Sequence, residues 1–247
     1  MLRQIALVFT TALSLIAVPQ SNPSSRGETL SVDWNKQSLA ELEKLIPDQK
    51  AAQQFATAVL MAQAHTEPDD IYKLGVDSEV VVDYRFVDLK GDGSVQFVCL
   101  LDITGRMRPT ILMAVENDHG HLKTADVTGG EGGLGLGHLD AILRDIRHNG
   151  RNEVVISHAL EPFAGIMPTP YMEHIYLYQD GKLVPSDREF LDYYKNQVLP
   201  ERREELNELL QHAPRPDADP EDREFFRKSV EAKQEEIAAV KKLLANP

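Results

Sequence analysis

Cysteine is almost absent from this 247-residue chain. The single residue, Cys99, excludes an intrachain disulfide. Its place inside the apolar run Val95 to Leu101 reads as a small buried hydrophobe, because a reactive thiol needs an accessible, electropositive setting. Positive charge is scarce as well, with 26 Lys and Arg against 39 Asp and Glu and a formal charge of −13. That balance argues against nucleic acid and anionic membrane surfaces, which are gripped through clustered Lys and Arg. No apolar run reaches the roughly 20 residues that span a bilayer. There is no Gly-x-Ser-x-Gly elbow, so nucleophilic hydrolysis has no signature here. At this length one sizeable core forms without disulfides or metal.

What is present begins with Arg3, the apolar run Ile5 to Val18 and a break at Pro19. Residues 1–20 are expected to be an export signal, with a retained N-terminal anchor as the alternative, and 21–31 a polar spacer. The expected location is secreted or periplasmic. A helical hairpin is predicted over 32–66. Ser38 with Glu41 makes a capping-box pattern before Leu39 to Ile46, Pro47 stops that segment, and Asp48 caps a second helix with Phe55, Val59 and Ala62 on one stripe.

From 78 to 186 the periodicity is that of strands, and it is doubled. Asp88-Leu-Lys-Gly-Asp-Gly-Ser-Val-Gln96 and Asp145-Ile-Arg-His-Asn-Gly-Arg-Asn-Glu153 match at Asp88/Asp145, Gly93/Gly150 and Gln96/Glu153, and each runs into an apolar strand. Two closing hairpins match too, at Asp118 to Leu122 and Gln179 to Leu183. The unit repeats after nearly sixty residues, with Leu139 to Ile146 expected as the opening strand of the second copy. The glycine-rich Thr128 to His138 lacks the strand-loop-helix context of a dinucleotide site and reads as a hinge or close-approach loop. Helices are expected over 187–212, the first capped by Asp187 and a second opening at Pro200. A linker follows at 213–220, then a terminal helix at 221–247 with Phe226, Val230, Ile237, Val240 and Leu244 on a seam that Lys233 interrupts.

The order strand, Asp-x-x-x-Asp/Asn-Gly turn, apolar strand and short strand at Asp-Gly-Lys-Leu resembles the FG-GAP or VCBS-type repeats of β-propellers and secreted bacterial proteins, over residues 80 to 185. The resemblance implies blade-like units, whose open edges the flanking helices or a partner would cover, and turns similar to calcium sites. The fold class expected is therefore α+β: a central, mostly antiparallel β region of two propeller-blade-like units between an N-terminal helical hairpin and C-terminal helices.

Candidate chemistry is sparse. The turn oxygens Asp88, Asp92, Asp145, Asn149 and Glu153 occupy calcium-loop places, but the third place is Lys90 in one copy and Arg147 in the other, a fixed cation that disfavours calcium. Ion-free, salt-bridged turns are expected. Six of the eight histidines lie between His119 and His174. His119 and His121 at a hairpin offer two imidazoles, one short of a zinc set. Glu116 with Asp118 reads as turn solvation. In the Pro-rich loop Glu161 to Pro170, Phe163, Met167 and Tyr171 are candidate contacts for a ligand, with core packing as the alternative. The function expected is a non-catalytic module that binds a protein or glycan, with no cofactor. The alternatives are a metal-dependent hydrolase using His119, His121 and a further His with Asp118, and an assembly role, as a homo-oligomer, through the terminal helix.

Overall fold

The computed structural model describes Trp34 and residues 37–63, 81–101, 111–118, 121–128, 137–161 and 168–246. The expected export signal, the spacer, and the candidate residues His119, Phe163 and Met167 lie outside these residues, as does the side chain of His121.

The described chain is α+β, with two four-stranded antiparallel sheets and several helices. Two helices come first, α1 (Leu39–Leu45) and α2 (Gln49–Gln63). Their starts follow the cap chemistry in the sequence. The Ser38 N–H and Oγ both donate to the Glu41 carboxylate, at 2.8 and 2.7 Å, and the Ala51 N–H donates to Asp48 at 2.7 Å. The first sheet is a meander of β1 (Val81–Val87), β2 (Gln96–Leu101), β3 (Ile111–Asp118) and β4 (His121–Thr128). A short helix α3 (Leu139–Ile142) leads to the second meander, β5 (Leu143–Arg144), β6 (Glu153–Ala159), β7 (Tyr171–Gln179) and β8 (Lys182–Pro185).

Alternation along the strands sorts the apolar residues into three cores. Phe97, Cys99, Met113 and Val115 face α1, α2 and Trp34. Their neighbours Val98, Leu100, Leu112 and Ala114 face the second sheet, where they meet Val154, Ile156, Tyr176 and Tyr178. Val155, Ile175 and Leu177 then face the C-terminal helices. The order is helices, sheet, sheet, helices. Both faces of each sheet are covered, which is why β2 is buried at every position and reads, after Gln96, as an apolar run. A bulge between Val81 and Asp83 shifts the register by one and turns Val81 to the α1/α2 side.

Two expectations are corrected. Leu139 to Ile146 is not a strand. The Leu139 N–H is taken by Asp83 at 2.9 Å, and the Ala141 and Ile142 N–H groups close onto His138, so a helical turn buries Leu139 and Ile142 and leaves only Leu143 and Arg144 to pair. Asp187 caps no helix, since its carboxylate reaches back to β7. Pro200 does lie in the first turn of an α-helix, as expected, but that helix follows the preceding segments without a break. From Asp187–Phe190, a 3-10 turn, the chain runs on through Leu191–Tyr193, widens to π geometry at Tyr194–Val198 and continues as α4 (Leu199–Gln211). Leu199 N–H reaches back five residues to Tyr194 O, because Pro200 brings no N–H and its ring crowds the preceding turn. The terminal helix α5 (Pro220–Ala245) starts on Asp219, which caps Glu221 N–H at 2.8 Å, and packs Ile237 and Val240 on the chain's own third core. No described helix is long and apolar enough to cross a membrane.

Candidate functional site

The two acidic turns fold as their matching spacing implies. Asp88 Oδ1 accepts from Lys90 and Gly91 N–H at 2.9 and 2.6 Å, and Oδ2 from Gly93 N–H at 2.8 Å. Asp145 does the same with Asn149 and Gly150 at 2.9 Å each, and these bonds, that from Gly150 first, hold its pKa below the ordinary carboxyl value. Gly93 and Gly150 share a φ of +83°. At the foot of each strand a side chain closes the loop: Gln96 Oε1 accepts from Leu89 N–H at 2.7 Å and Glu153 Oε2 from Ile146 N–H at 2.9 Å.

The turns are not salt-bridged in the way expected. The Asp charges are satisfied by backbone N–H groups, and the cations turn elsewhere: Lys90 to Glu116, and Arg147 to Glu189 at 3.1 Å with its guanidinium 4.2 Å over the Phe190 ring. Asp92 and Asn149 bond the next residue but one, Ser94 N–H and Arg151 N–H, at 2.9 and 3.0 Å. Glu116 is not turn solvation. It is buried, and it also accepts from the Tyr178 hydroxyl of the second sheet at 3.0 Å.

These turns lie at one end of both sheets. The registers Asp118↔His121 and Gln179↔Lys182 put the short hairpins there too, and Arg151 of the second turn reaches Leu89 O of the first at 2.9 Å. The long connections therefore leave from the opposite end, beyond Leu101/Ile111, Thr128 and Ala159/Tyr171. The Leu160 N–H to Pro170 O bond, 2.9 Å, closes the base of the last one.

At that loop end the second sheet carries polar clusters on both faces. Towards the helices, Glu173 takes Arg144 in a two-bonded pair at 2.9 and 3.1 Å. Arg202 binds Glu205 at 2.9 Å and lies 4.8 Å from the Tyr171 ring centroid, and Lys233 binds Glu205 and Glu236 at 2.9 and 2.7 Å. The seam interruption at Lys233 is thus an internal ion pair. Burial pushes the Glu236 carboxyl upward against the pull of Lys233 and Arg202. Three acids face three bases, so this network is closed on itself and fastens α4 and α5 to the sheet. Tyr171 belongs to it, its ring engaged by the chain's own cations.

The other face holds an unbalanced set. His158 on β6 and His174 on β7 meet edge to face with ring centroids 5.2 Å apart. His174 Nδ1 lies 2.7 Å from Asp187 Oδ2, while Asp187 Oδ1 accepts from Ile175 N–H and the Tyr194 hydroxyl at 2.7 and 2.8 Å. Burial would raise the Asp187 carboxyl, but the bonds from His174, Ile175 and Tyr194 outweigh it and keep its value low. An ionised Asp187 assigns the Nδ1 proton to His174 and leaves Nε2 as the acceptor. Burial and Asp187 push the Tyr176 phenol upward, and its hydroxyl lies 2.9 Å from His158 Nε2. The set thus presents oriented imidazoles and a phenol beside the loop anchors, one of them, His174, with about a third of its side chain exposed.

Spacing in the sequence does not reveal this set, since the stretch of chain between His158 and His174 means nothing until a hairpin register puts Ile156 opposite His174. Among the described residues no group of three or more His, Cys, Asp or Glu side chains is placed to hold a metal ion. Cys99 is fully buried and its thiol is pushed far up by burial, which fits the packing role assigned from its sequence context. Comparison with protein-family models, curated proteins and solved structures finds no significant match for this chain.

Proposed function

We propose that the chain is an exported, non-catalytic binding module: two propeller-blade-like units, closed on their outer faces by helices, that engage a protein or glycan at the loop end. One observation carries this reading. The long connections leave from one end of the sheets, and the cluster of His158, His174 and Tyr176 runs from mid-sheet to His158 beside that end, while the other end is closed by hydrogen-bonded turns. Loops borne on a rigid double sheet are where binding residues concentrate. Replacing 128–138 and 161–170 by Gly/Ser sequence should abolish capture of whatever co-purifies with the wild type, and Asp92→Ala at the opposite end should not. An unchanged set of captured partners in the loop variant refutes the reading.

A metal-dependent hydrolase is the second reading, and the Asp187–His174 pair is what favours it. A carboxylate behind an imidazole is the usual support for a metal ligand or a general base. Stoichiometric metal in protein purified without chelator, lost in His174→Gln, would promote it above the first.

A further inference from the structure

The second turn contains a buried oxygen with nothing to bind. Glu153 is fully buried, its Oε2 accepts from Ile146 N–H, and its Oε1 has no partner among the described residues. The first turn shows what belongs there. Gln96 is equally buried, and the group equivalent to that oxygen is an amide, Nε2, donating to Ser94 Oγ at 3.2 Å. The residue in the Ser94 place of the second turn is Arg151. It turns away from Glu153, giving Nε to Leu89 O at 2.9 Å and a terminal nitrogen to Tyr178 O at 3.2 Å, and its aliphatic stem covers Gly91. Asn152 N–H beside it donates to Asp88 O at 3.2 Å.

We propose that Glu153 is held as the neutral acid, and that its ionisation draws Arg151 back into the turn, so that the joint between the two sheets loosens as pH rises. An ionised carboxylate buried with a bare oxygen is costly, and the nearest remedy is a cation. Burial pushes the Glu153 carboxyl upward, opposed by Ile146 N–H, Arg147 and Arg151. The other cations are committed. Arg147 is held by Glu189 and Phe190 on the helical side, and Arg144, opposite Glu153 in the ladder, by Glu173 and Tyr193. The nearest acid in the turn, Asp145, spends both oxygens on backbone N–H groups, and His148 of the same turn is exposed. Of these three described cations, Arg151 alone bonds only carbonyl oxygens. Since the folded protein binds this proton more tightly than the unfolded chain, the contribution of Glu153 is complete below the ordinary glutamate value of about 4.3 and is lost as pH rises through the raised one.

Hydrogen exchange of the Asn152 amide, corrected for intrinsic rate and referred to the central strand amide of Leu100, reads the joint. In the wild type the opening constant should rise by up to about tenfold per pH unit between the ordinary glutamate value and the raised one, and level off above it. In Glu153→Gln, which installs the amide of the first turn, the constant should stay flat from pH 5 to 9. In Arg151→Ala it should be high throughout. Identical pH profiles for wild type and Glu153→Gln overturn the proposal. So does carboxyl-carbon NMR of the wild-type protein if Glu153 titrates at an ordinary glutamate value, a measurement that needs no variant to fold.

Discussion

The two turns are the same loop set against different neighbours. Both fold a carboxylate onto backbone N–H groups, both place a glycine at φ +83°, and both close with a side-chain acceptor at the strand foot. They differ in what they lean on. Leu89 of the first turn is buried between the sheets, and Ile146 of the second packs toward the helices. Each unit rests on its neighbours, and the differing side chains that reach outside their own turn do so in different directions: Lys90 to Glu116, Arg147 to Glu189, and Arg151 to Leu89 O over Gly91. The backbone of the turn is a local matter, and its side chains answer to the neighbour.

The largest difference is expected at the third place. Lys90 pairs with a Glu116 whose side chain is 11% exposed, and Arg147 pairs with a Glu189 whose side chain is 51% exposed. Removing the first cation takes an ion partner from a buried carboxylate that also holds the Tyr178 hydroxyl, whereas removing the second leaves a solvated one. Lys90→Met should cost about 2–4 kcal/mol in urea unfolding and Arg147→Met less than about 1. Equal losses would mean that the pair between the sheets is no more than a surface contact.

Next comes the close approach at Gly91. A Cβ there would lie 3.2 Å from Arg151 Cβ and 3.3 Å from its Cδ, at a φ of +77°. Gly93 and Gly150 have open space around them at a similar φ. Gly91→Ala should therefore cost about 2–3 kcal/mol, the left-handed strain of about 1–2 plus a displaced Arg151, and Gly93→Ala and Gly150→Ala the strain alone. Restoration of Gly91→Ala by Arg151→Ala in a double-mutant cycle would identify the contact; additive losses would deny it.

A smaller effect exchanges the strand-foot residues. Gln96→Glu places in the first turn the acid that the second turn already carries, but beside Ser94, whose hydroxyl donates as readily as it accepts. The wild type should lose stability as pH rises through the Glu153 titration. Gln96→Glu should add a second loss of the same sign, for the same reason of tighter proton binding in the folded state, and a weaker one of about 1 kcal/mol or less because Ser94 stabilises the ionised form. Thermal midpoints at pH 5 and pH 8 check it, and a variant more stable at pH 8 than at pH 5 would reverse the sign.

How much of this was legible in advance follows the range of the interactions. The Asp88 and Asp145 turns, the Ser38 and Asp48 caps and the Asp180-Gly181 hairpin are settled within five residues, and spacing reveals them. Asp180 and Gly181, at φ +49° and +75°, are the two left-handed residues that such a tight hairpin needs. The same reasoning failed at Asp187, because a cap and a reach across to Ile175 and His174 look alike until the chain after β8 is placed against β7. It failed at Leu139, where Asp83, 56 residues away, decides for a helical turn. The candidate set around His174 was invisible for the same reason: its members come from β6, β7, the turn after β8 and the π segment. Alternating apolar residues told that strands were present but not that both faces would be covered, since covering depends on which helices return.

The finest comparison is at the fourth place, Gly91 against His148. Both are left-handed, at φ +77° and +52°, yet His148 is exposed. If neighbours alone choose the residue, glycine is required in the first turn by Arg151 and merely convenient in the second. His148→Gly should then relieve about 1–2 kcal/mol of backbone strain while adding roughly 0.5–1 of unfolded-chain entropy, a net gain near 0.5 kcal/mol and a midpoint about 1–2 °C higher. Gly91→His should instead fail to fold stably, because its side chain and the Arg151 stem claim the same space. If the two exchanges prove equally mild, then the side chains of the turn do not answer to the next layer, and the second unit does not rest on the first through Arg151.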